Sequence, residues 1–408
     1  MMEGSILSMF NASAQQEWLH AYALLALRLN RLASESPAGT MLIYHGPTAW
    51  SEAVASEQRV PAERLVSDAI GLMSSIPFEQ PRADYLAAQL GAMKAVAMRL
   101  SGEKWPLSRY ARECLGFVPE WLPESLFAEA HAELDDALPN GAGTLASRLQ
   151  SWQSFYTLKQ KEKLLSLMEL AAVEARRRTN AILPLPEGET LGFQGMDNPH
   201  MLAGGAYRGS LQSTLFVNVS KPFNLADLLY VATHECYPGH IAESVYKDVY
   251  LVQEKGYTEQ QVQFMLSPQF VIMEGLGLVA EELVFPEDEA QEWLTDHVFK
   301  PLHLQTDSSR IAAIHHAKNA LWGVWANAAL MVDEGGTDEE VREYLAKWAL
   351  LEGQELESAL AIAKGGPYIF CYYYGWKMVR DWLQLPKRND ERVRRILTEQ
   401  LLPADMLG

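Results

Sequence analysis

The chain has 408 residues, and its 52 acidic against 34 basic side chains give a formal net charge of −18 at pH 7. Hydrophobic residues make up 48% of the sequence and charged residues 21%, so the composition supplies a core and excludes intrinsic disorder. The acidic balance argues against nucleic acid or an anionic membrane as a partner, because both are bound by clustered lysine and arginine.

The cysteines and the apolar segments indicate the compartment. Cys114, Cys236 and Cys371 form no CxxC pair, a pattern typical of the reducing cytoplasm. The N-terminal segment has no basic residue before Arg28 and so lacks the basic start of a signal peptide. The longest nearly apolar stretch, residues 320–332, is shorter than the roughly 20 residues of a membrane helix. We therefore expect a soluble cytoplasmic protein without membrane contact.

Helical periodicity dominates the first part of the chain. Apolar positions recur at steps of three and four in the segments 15–35, 61–74, 82–101 and 144–182. The last of these ends soon after three arginines, residues 176–178, which suit a helix C-terminus. Pro184 and Pro186 then end the pattern and predict a boundary.

A short β region follows, and the helical period then returns. Residues 183–222 are rich in Gly, Ser, Thr and Phe and predict two or three short strands. Helices are predicted afterwards over 224–237, 240–254, 258–284, 288–304, 308–332, 338–349, 354–363, 367–384 and 389–401. We expect a mainly α fold with one small sheet, divided into an N-terminal helical region (1–182), the β region (183–222) and a C-terminal helical region (223–408).

The chemistry is concentrated at residues 233–243, which read Thr-His-Glu-Cys-Tyr-Pro-Gly-His-Ile-Ala-Glu. His234-Glu235 is the opening of a zincin motif, in which a second histidine follows four positions after the first. Here Pro238 occupies that position and the next histidine is His240. On an unbroken helix, residues six apart differ by about 120° in direction, which is a poor arrangement for chelation.

Pro238-Gly239 offers a way around this geometry. Proline lacks the amide hydrogen of a helix, and glycine adopts backbone conformations that other residues avoid. We therefore expect the helix to break after Tyr237, which lets His240 turn back toward His234.

A catalytic zinc needs a third protein ligand. Glu274 is the favoured source because it lies on an otherwise apolar predicted helix face, where an unpaired carboxylate is costly to bury. Glu243, three residues after His240, is the rival assignment. Glu281 falls on the same face as Glu274, and we expect it to orient one of the metal-binding histidines.

These motifs resemble a known family. HECYPGH, followed about forty residues later by EGLGLVAEEL, is similar to the pattern His-Glu-x-x-Pro-Gly-His and then Glu-Gly-Trp-Ala-Leu-Tyr-x-Glu. That pattern marks a large bacterial family of uncharacterised proteins, grouped with the gluzincin metallopeptidases such as the thermolysin-like and carboxypeptidase Taq-like enzymes. Residues 207–209, 215–218 and 372–375 also match its strand and C-terminal helix.

The resemblance implies a zinc site and a fold. It implies His234 and His240 as zinc ligands, Glu274 as the third ligand and Glu235 as the general base, with one Zn²⁺ per chain. It also implies a helical zincin-like body with a deep groove, whose cleft is lined by the small sheet or hairpin that precedes the metal-binding helix. We expect residues 215–219 to pair there with an extended peptide.

The chain departs from the family pattern at several positions. Ile241 and Glu243 stand where the family has His and Gln, and Leu276 and Val279 stand where it has Trp and Tyr. The family's two arginines and one histidine are absent from residues 326–337.

Two sources could donate a hydrogen bond to an oxyanion. Tyr372 matches the family's Tyr-x-x-Gly element, and related zinc peptidases use Tyr or His in this role. The adjacent pair His315-His316 is the second source, of which we take His316 as the candidate. The alternatives are that the tyrosines form core and groove wall, and that the histidines are a surface or interface pair.

The sequence therefore predicts a zinc metallopeptidase of gluzincin type that acts on short peptides or chain ends, with no nucleic-acid or membrane partner. Two alternatives stay open. One is a non-catalytic helical protein that keeps the metal site for structure or for peptide binding. The other is a zinc amidohydrolase acting on a small non-peptide amide, which shares every residue assignment with the peptidase.

Overall fold

A computed structural model describes residues 2–35, 39–198 and 201–407, with side chains from residue 12 onward. The described chain is mainly helical, which confirms the expected fold class. Its α-helices, in chain order, are α1 (Met2–Ser34), α2 (Thr48–Ser56), α3 (Ala62–Ser74), α4 (Arg82–Leu100), α5 (Leu107–Leu115), α6 (Glu124–Ala137), α7 (Leu145–Phe155), α8 (Leu164–Ile182), α9 (Leu228–Glu235), α10 (His240–Lys247), α11 (Pro268–Val284), α12 (Glu289–Leu294), α13 (Ile311–Asp333), α14 (Asp338–Ala349), α15 (Gly353–Ala363), α16 (Phe370–Leu383) and α17 (Asp390–Thr398).

Short 3-10 and π-helical turns extend or connect these helices. The 3-10 turns are Lys161–Lys163, Leu225–Asp227, Thr258–Gln261, Pro367–Ile369 and Pro403–Met406, and the π-helical turns are Asp248–Gln253 and Thr295–Phe299. Among the described residues, no helix combines the length and apolar character needed to cross a membrane.

The strands are β1 (Leu42–Tyr44), β2 (Thr190–Met196), β3 (Ala203–Tyr207), β4 (Gln212–Asn218) and β5 (Val262–Phe264). The three-stranded sheet has the order β2-β4-β3, in which β2 runs parallel and β3 antiparallel to the central strand β4. This sheet lies just before α9, as expected. The second sheet pairs β1 with β5 antiparallel, and it was not predicted because β5 lies inside a segment expected to be helical.

One long predicted helix, residues 144–182, is in fact two. Helix α7 ends at Phe155 and α8 begins at Leu164. Between them the Leu158 N–H donates to the Phe223 carbonyl at 2.8 Å, and the Leu225 N–H donates to the Tyr156 carbonyl at 2.9 Å. These bonds to a segment distant in sequence replace the helical ones, which apolar periodicity alone could not reveal.

The chain divides into two compact units. The first comprises Met1–Pro119, Lys247–Ile272 and Thr398–Gly408, and the second Glu120–Tyr246 and Met273–Leu397. This division follows proximity in space, so it does not test the three contiguous regions predicted along the sequence.

Polar bonds between distant segments hold the first unit together. The Tyr85 hydroxyl donates to Gln269 Oε1 at 2.6 Å, and Arg82 forms an ion pair with the buried Glu259, also at 2.6 Å. Both contacts join α4 to the segment around β5, so they close this unit although its pieces are far apart in sequence.

Helix α13 is central to the second unit, where it contacts α6, α14, α15 and α16. The residue that interrupts its apolar stretch, Asn327, is fully buried. Its amide accepts from the Leu122 N–H at 2.9 Å and donates to the Leu122 carbonyl at 2.8 Å. The polar interruption therefore ties the segment before α6 to the central helix.

Replacing Asn327 with leucine should destabilise the protein. The substitution leaves both Leu122 backbone groups without their partner, which costs about 2 kcal/mol of unfolding free energy. Urea denaturation followed by circular dichroism measures this loss. Tyr344→Phe is the control, because it removes a third partner of the same amide and leaves the two backbone bonds in place. An unchanged midpoint for Asn327→Leu would contradict this role.

Candidate metal centre

The predicted helix interruption exists between α9 and α10. Helix α9 ends at Glu235, two residues earlier than expected, and α10 begins at His240. His234 therefore lies in the last turn of one helix and His240 at the first position of the next. The two histidines are six residues apart, and they come together because the chain changes direction between α9 and α10 rather than because one helix is distorted.

Gly239 allows this change of direction. Its N–H donates to the Thr233 carbonyl at 3.0 Å, so the connection folds back onto the last turn of α9. A Cβ atom at position 239 would lie 1.8 Å from the His234 carbonyl oxygen, a distance that no side chain can tolerate. The close approach places the rings of His234 and His240 with centroids 4.7 Å apart and planes at 84°.

Helix α11 brings Glu274 to the two histidines. The Glu274 carboxylate lies 3.7 Å from His234 Nε2 and 3.9 Å from His240 Nε2. One ligand atom from each residue lies within 4.8 Å of the other two. Two donors about 2.0–2.1 Å from a shared tetrahedral ion are about 3.4 Å apart, so the three side chains are close to a chelating arrangement.

The rival ligand Glu243 does not belong to this group. It is buried on α10, close enough for its charge to raise the pKa of Glu274, but the chelating set contains Glu274 instead. The structure therefore brings together the three residues that the sequence favoured.

The electrostatics of the group fit a bound cation. Burial raises the pKa of Glu274, and burial, together with the neighbouring His240, lowers the pKa of His234. Glu274 Oε2, which faces His234, is buried and has no hydrogen-bond partner within the described part of the chain. Because buried polar atoms are rarely left unpaired, this carboxylate oxygen indicates a site for a positively charged ligand.

Neighbouring groups hold two of the ligands in place. The Tyr368 hydroxyl donates to Glu274 Oε1 at 2.6 Å, and the His234 ring is hydrogen-bonded to the backbone of Gly277. A Cβ atom at Gly277 would lie 2.7 Å from that ring, so the absence of a side chain lets the imidazole rest on α11. Tyr368 was not predicted as a site residue; the predicted oxyanion donor Tyr372 lies four residues later.

Glu235 faces the edge of the small sheet. The Gly205 N–H donates to Glu235 Oε2 at 2.7 Å, which fixes one carboxylate oxygen. Gly205 is on β3, an edge strand, where the N–H and C=O groups of alternate residues turn away from β4. The expectation that residues 215–219 pair with a peptide was wrong, because β4 is the central strand and both of its edges are filled.

The two predicted oxyanion donors lie in different surroundings. Tyr372 stacks on Trp322 with ring centroids 4.5 Å apart, and its ring lies 5.9 Å from that of Tyr368. Burial raises the pKa of Tyr372 well above its usual value, with Glu274 as the next cause. His316 is instead bonded to Glu133 at 2.9 Å and contacts Trp376.

Glu281 orients a different histidine from the one expected. Its carboxylate lies 2.6 Å from His315 Nδ1, and Asp227 lies 3.0 Å from His315 Nε2. The prediction that Glu281 supports a metal-binding histidine was therefore wrong. Burial by itself would lower the pKa of His315, but Glu281 and Asp227 outweigh it and raise the pKa to about 9. The protonated ring joins α11 and α13 to the start of α9.

Comparisons with known proteins establish the fold alone. No family model matches the chain, and no curated protein matches its sequence. A crystal structure described as a "putative lipoprotein" from Colwellia psychrerythraea is similar with a TM-score of 0.53 and 12% identity, over 92% of this chain and 70% of that one. A "putative lipoprotein of unknown function" from Shewanella oneidensis gives a TM-score of 0.51 and 11% identity, over 88% of this chain and 75% of that one.

We predict that Gly277→Ala weakens metal binding. The new methyl group meets the His234 ring and displaces it, which should reduce Zn²⁺ affinity by about 10- to 100-fold. Competition with a chromophoric chelator measures the affinity. Gly91→Ala on α4 is the matched control, because a Cβ atom there meets nothing within 4 Å. Equal affinity in the two variants would show that the close packing of His234 on Gly277 is unimportant.

The ion pairs of His315 with Asp227 and Glu281 predict that the stability of the folded protein depends on pH. The pKa of His315 is about 9 in the folded protein against 6.5 for a free histidine. The stabilisation of the folded protein by the protonated ring is therefore complete below pH 6.5 and is lost as the pH rises toward 9. The loss should be up to about 3 kcal/mol of unfolding free energy. Glu281 and Asp227 lie against the two ring nitrogens, and Tyr230 packs on the ring with centroids 4.7 Å apart.

Urea denaturation of metal-free protein from pH 6 to 9 tests this dependence. The unfolding free energy of His315→Gln should be lower than that of the wild type, and this difference should become smaller as the pH rises. His316→Gln, which changes the adjacent and more exposed histidine, should show no comparable trend. A His315→Gln deficit that stays constant with pH would contradict a protonated His315.

Proposed function

We propose that this protein is a zinc-dependent hydrolase, a metallopeptidase of gluzincin type that acts on short peptides or chain ends. The observation that supports the proposal most directly is the grouping of His234, His240 and Glu274, with Glu235 next to the first ligand. Two neutral imidazoles and one carboxylate form the ligand set typical of catalytic rather than structural zinc, and they leave a coordination position open.

The proposed chemistry assigns a proton transfer to Glu235. Zn²⁺, when bound, supplies a Lewis acid that acidifies water and polarises a carbonyl oxygen. Glu235 takes a proton from the attacking water and returns it to the leaving amine. The Gly205 N–H on Oε2 restrains the carboxylate, so the other oxygen is the one that we assign to proton transfer.

We assign oxyanion stabilisation to Tyr372. The hydroxyl of Tyr368 is already engaged with Glu274, which leaves it poorly suited to the role. His316 is paired with Glu133, so we no longer favour it as a donor. Tyr372 lies beside Tyr368 and within electrostatic influence of Glu274 and Glu235, and a neutral phenol is the form that donates a hydrogen bond.

The edge strand β3 is the proposed binding surface for the substrate backbone. Ala203 and Tyr207 share the orientation of Gly205, so their backbone groups also turn away from β4. An extended peptide could add to this edge as a further strand. Main-chain hydrogen bonding of this kind suits unfolded substrates, which supports short peptides over folded proteins.

The compartment is a separate proposal. Cys114, Cys236 and Cys371 are all buried, and none forms a disulfide within the described residues, which supports the reducing cytoplasm. The two proteins of similar structure are described as lipoproteins, and envelope attachment is the alternative that they raise. Cell fractionation followed by immunodetection distinguishes the two.

Metal analysis tests the centre, and two carboxylate variants test its ligands. Wild-type protein should bind close to one equivalent of Zn²⁺, and uptake below about 0.2 equivalents would contradict the proposed metal site. Glu274→Gln should lose this binding because it removes a ligand. Glu243→Gln should retain it, and the opposite pattern would reassign the third ligand to Glu243.

Hydrolysis is tested with Glu235→Gln. The variant should retain Zn²⁺ yet lose at least about 100-fold in the rate of cleavage of a library of short peptides and small amides, measured by mass spectrometry. Retained activity would remove Glu235 from the mechanism. Stoichiometric zinc without turnover by the wild type would favour the non-catalytic alternative, and cleavage of non-peptide amides alone would favour an amidohydrolase.

A further inference from the structure

A cavity of about 680 Å³ lies in the second unit, lined by α7, α13 and the segment between α14 and α15. Its volume is typical of a site for a small ligand. Trp322 and Trp325 form one wall with ring centroids 5.0 Å apart, and Leu149, Leu321 and Leu351 contribute aliphatic surface. The cavity is therefore mainly apolar and aromatic.

This cavity adjoins the candidate metal centre. Tyr230, which lines it, lies one helical turn before His234, and the two ring centroids are 6.5 Å apart. Trp322, also in the lining, stacks directly on Tyr372. Leu202 lines the cavity as well and immediately precedes the edge strand β3. The cavity therefore lies beside the metal group and the strand edge, and the three candidate ligands are outside its lining.

Four polar side chains of the lining already have partners. Asp227 bonds to His315 and pairs with Lys318, and the Tyr230 hydroxyl donates to Asn319 at 2.6 Å. Because Asp227 and Lys318 pair with each other, the desolvation of a further charged group in the cavity would be costly. The remaining charges in the lining, Glu352 and Glu355, are exposed carboxylates that repel an acidic ligand.

We propose that this cavity binds an aromatic or large aliphatic side chain of the peptide substrate. The inference rests on the proposed function and specifies its substrate class. A peptide that extends along the β3 edge toward Ala203 approaches Leu202, which lines the cavity.

Binding to metal-free protein tests the cavity without relying on catalysis. Isothermal titration with the peptides Ala-Ala-X-Ala-Ala compares Phe, Leu, Ala and Asp at the central position. The Phe and Leu peptides should bind at least about tenfold more tightly than the Ala peptide, because each buries a large apolar side chain. The Asp peptide should bind most weakly.

Two variants locate the binding in the cavity. Trp325→Ala removes part of the aromatic wall, and Ala146→Trp fills the space from the opposite side. Either should reduce the preference for Phe over Ala to less than about threefold, and both should bind as much Zn²⁺ as the wild type. Trp121→Ala is the control, because that ring is outside the lining and 48% exposed. If Trp325→Ala fails to fold, the preference for Phe over Ala is measured with Ala146→Trp alone.

The outcomes separate this proposal from the proposed function. In one outcome the wild type prefers Phe or Leu peptides, the cavity variants lose this preference, and the wild type hydrolyses nothing. That outcome supports side-chain binding in the cavity and contradicts the proposed hydrolase activity. Hydrolysis without a preference for Phe or Leu, or a preference unchanged in both cavity variants, overturns the cavity proposal and leaves the hydrolase intact.

Discussion

A buried carboxylate beside two imidazoles is the arrangement around which the second unit is organised. Glu274 is 6% exposed and lies on α11 among apolar neighbours, where an isolated charge is strongly disfavoured. One of its oxygens is satisfied by Tyr368, and the other faces His234. Helices α9, α10 and α11 and the 3-10 turn before α16 therefore meet at one side chain, and a bound cation would relieve the cost of burying it.

Glycines, which have no side chain, allow these helices to approach one another closely. Gly239 lets the chain between α9 and α10 fold against the last turn of α9, and Gly277 receives the His234 ring. At Gly275 a Cβ atom would lie 2.3 Å from the Gly375 carbonyl oxygen, so α11 and α16 also pack with their backbones in close approach. The motif residues around Glu274 thus serve packing as well as chemistry, since each glycine removes a steric barrier between elements that hold the site.

A second buried polar cluster supports the first without sharing its residues. His315 lies between Glu281 and Asp227, and the Tyr230 ring lies 4.7 Å from the His315 ring and 6.5 Å from the His234 ring. The imidazolium balances the charge of both carboxylates, and Lys318 also pairs with Asp227. This arrangement couples the start of α9 to α11 and α13, so it positions the metal-binding helix and closes one side of the apolar cavity.

The sequence by itself determined the mainly helical class and the small sheet before α9, and it favoured the three residues that cluster in the structure. These follow from local properties: apolar periodicity, the conformational limits of Pro238-Gly239, and the donor chemistry of histidine and glutamate. Only the tertiary structure paired Glu281 with His315, divided residues 144–182 into two helices and made β3 the edge strand. Each of these depends on which distant segments pack together, and that information is absent from any short stretch of residues.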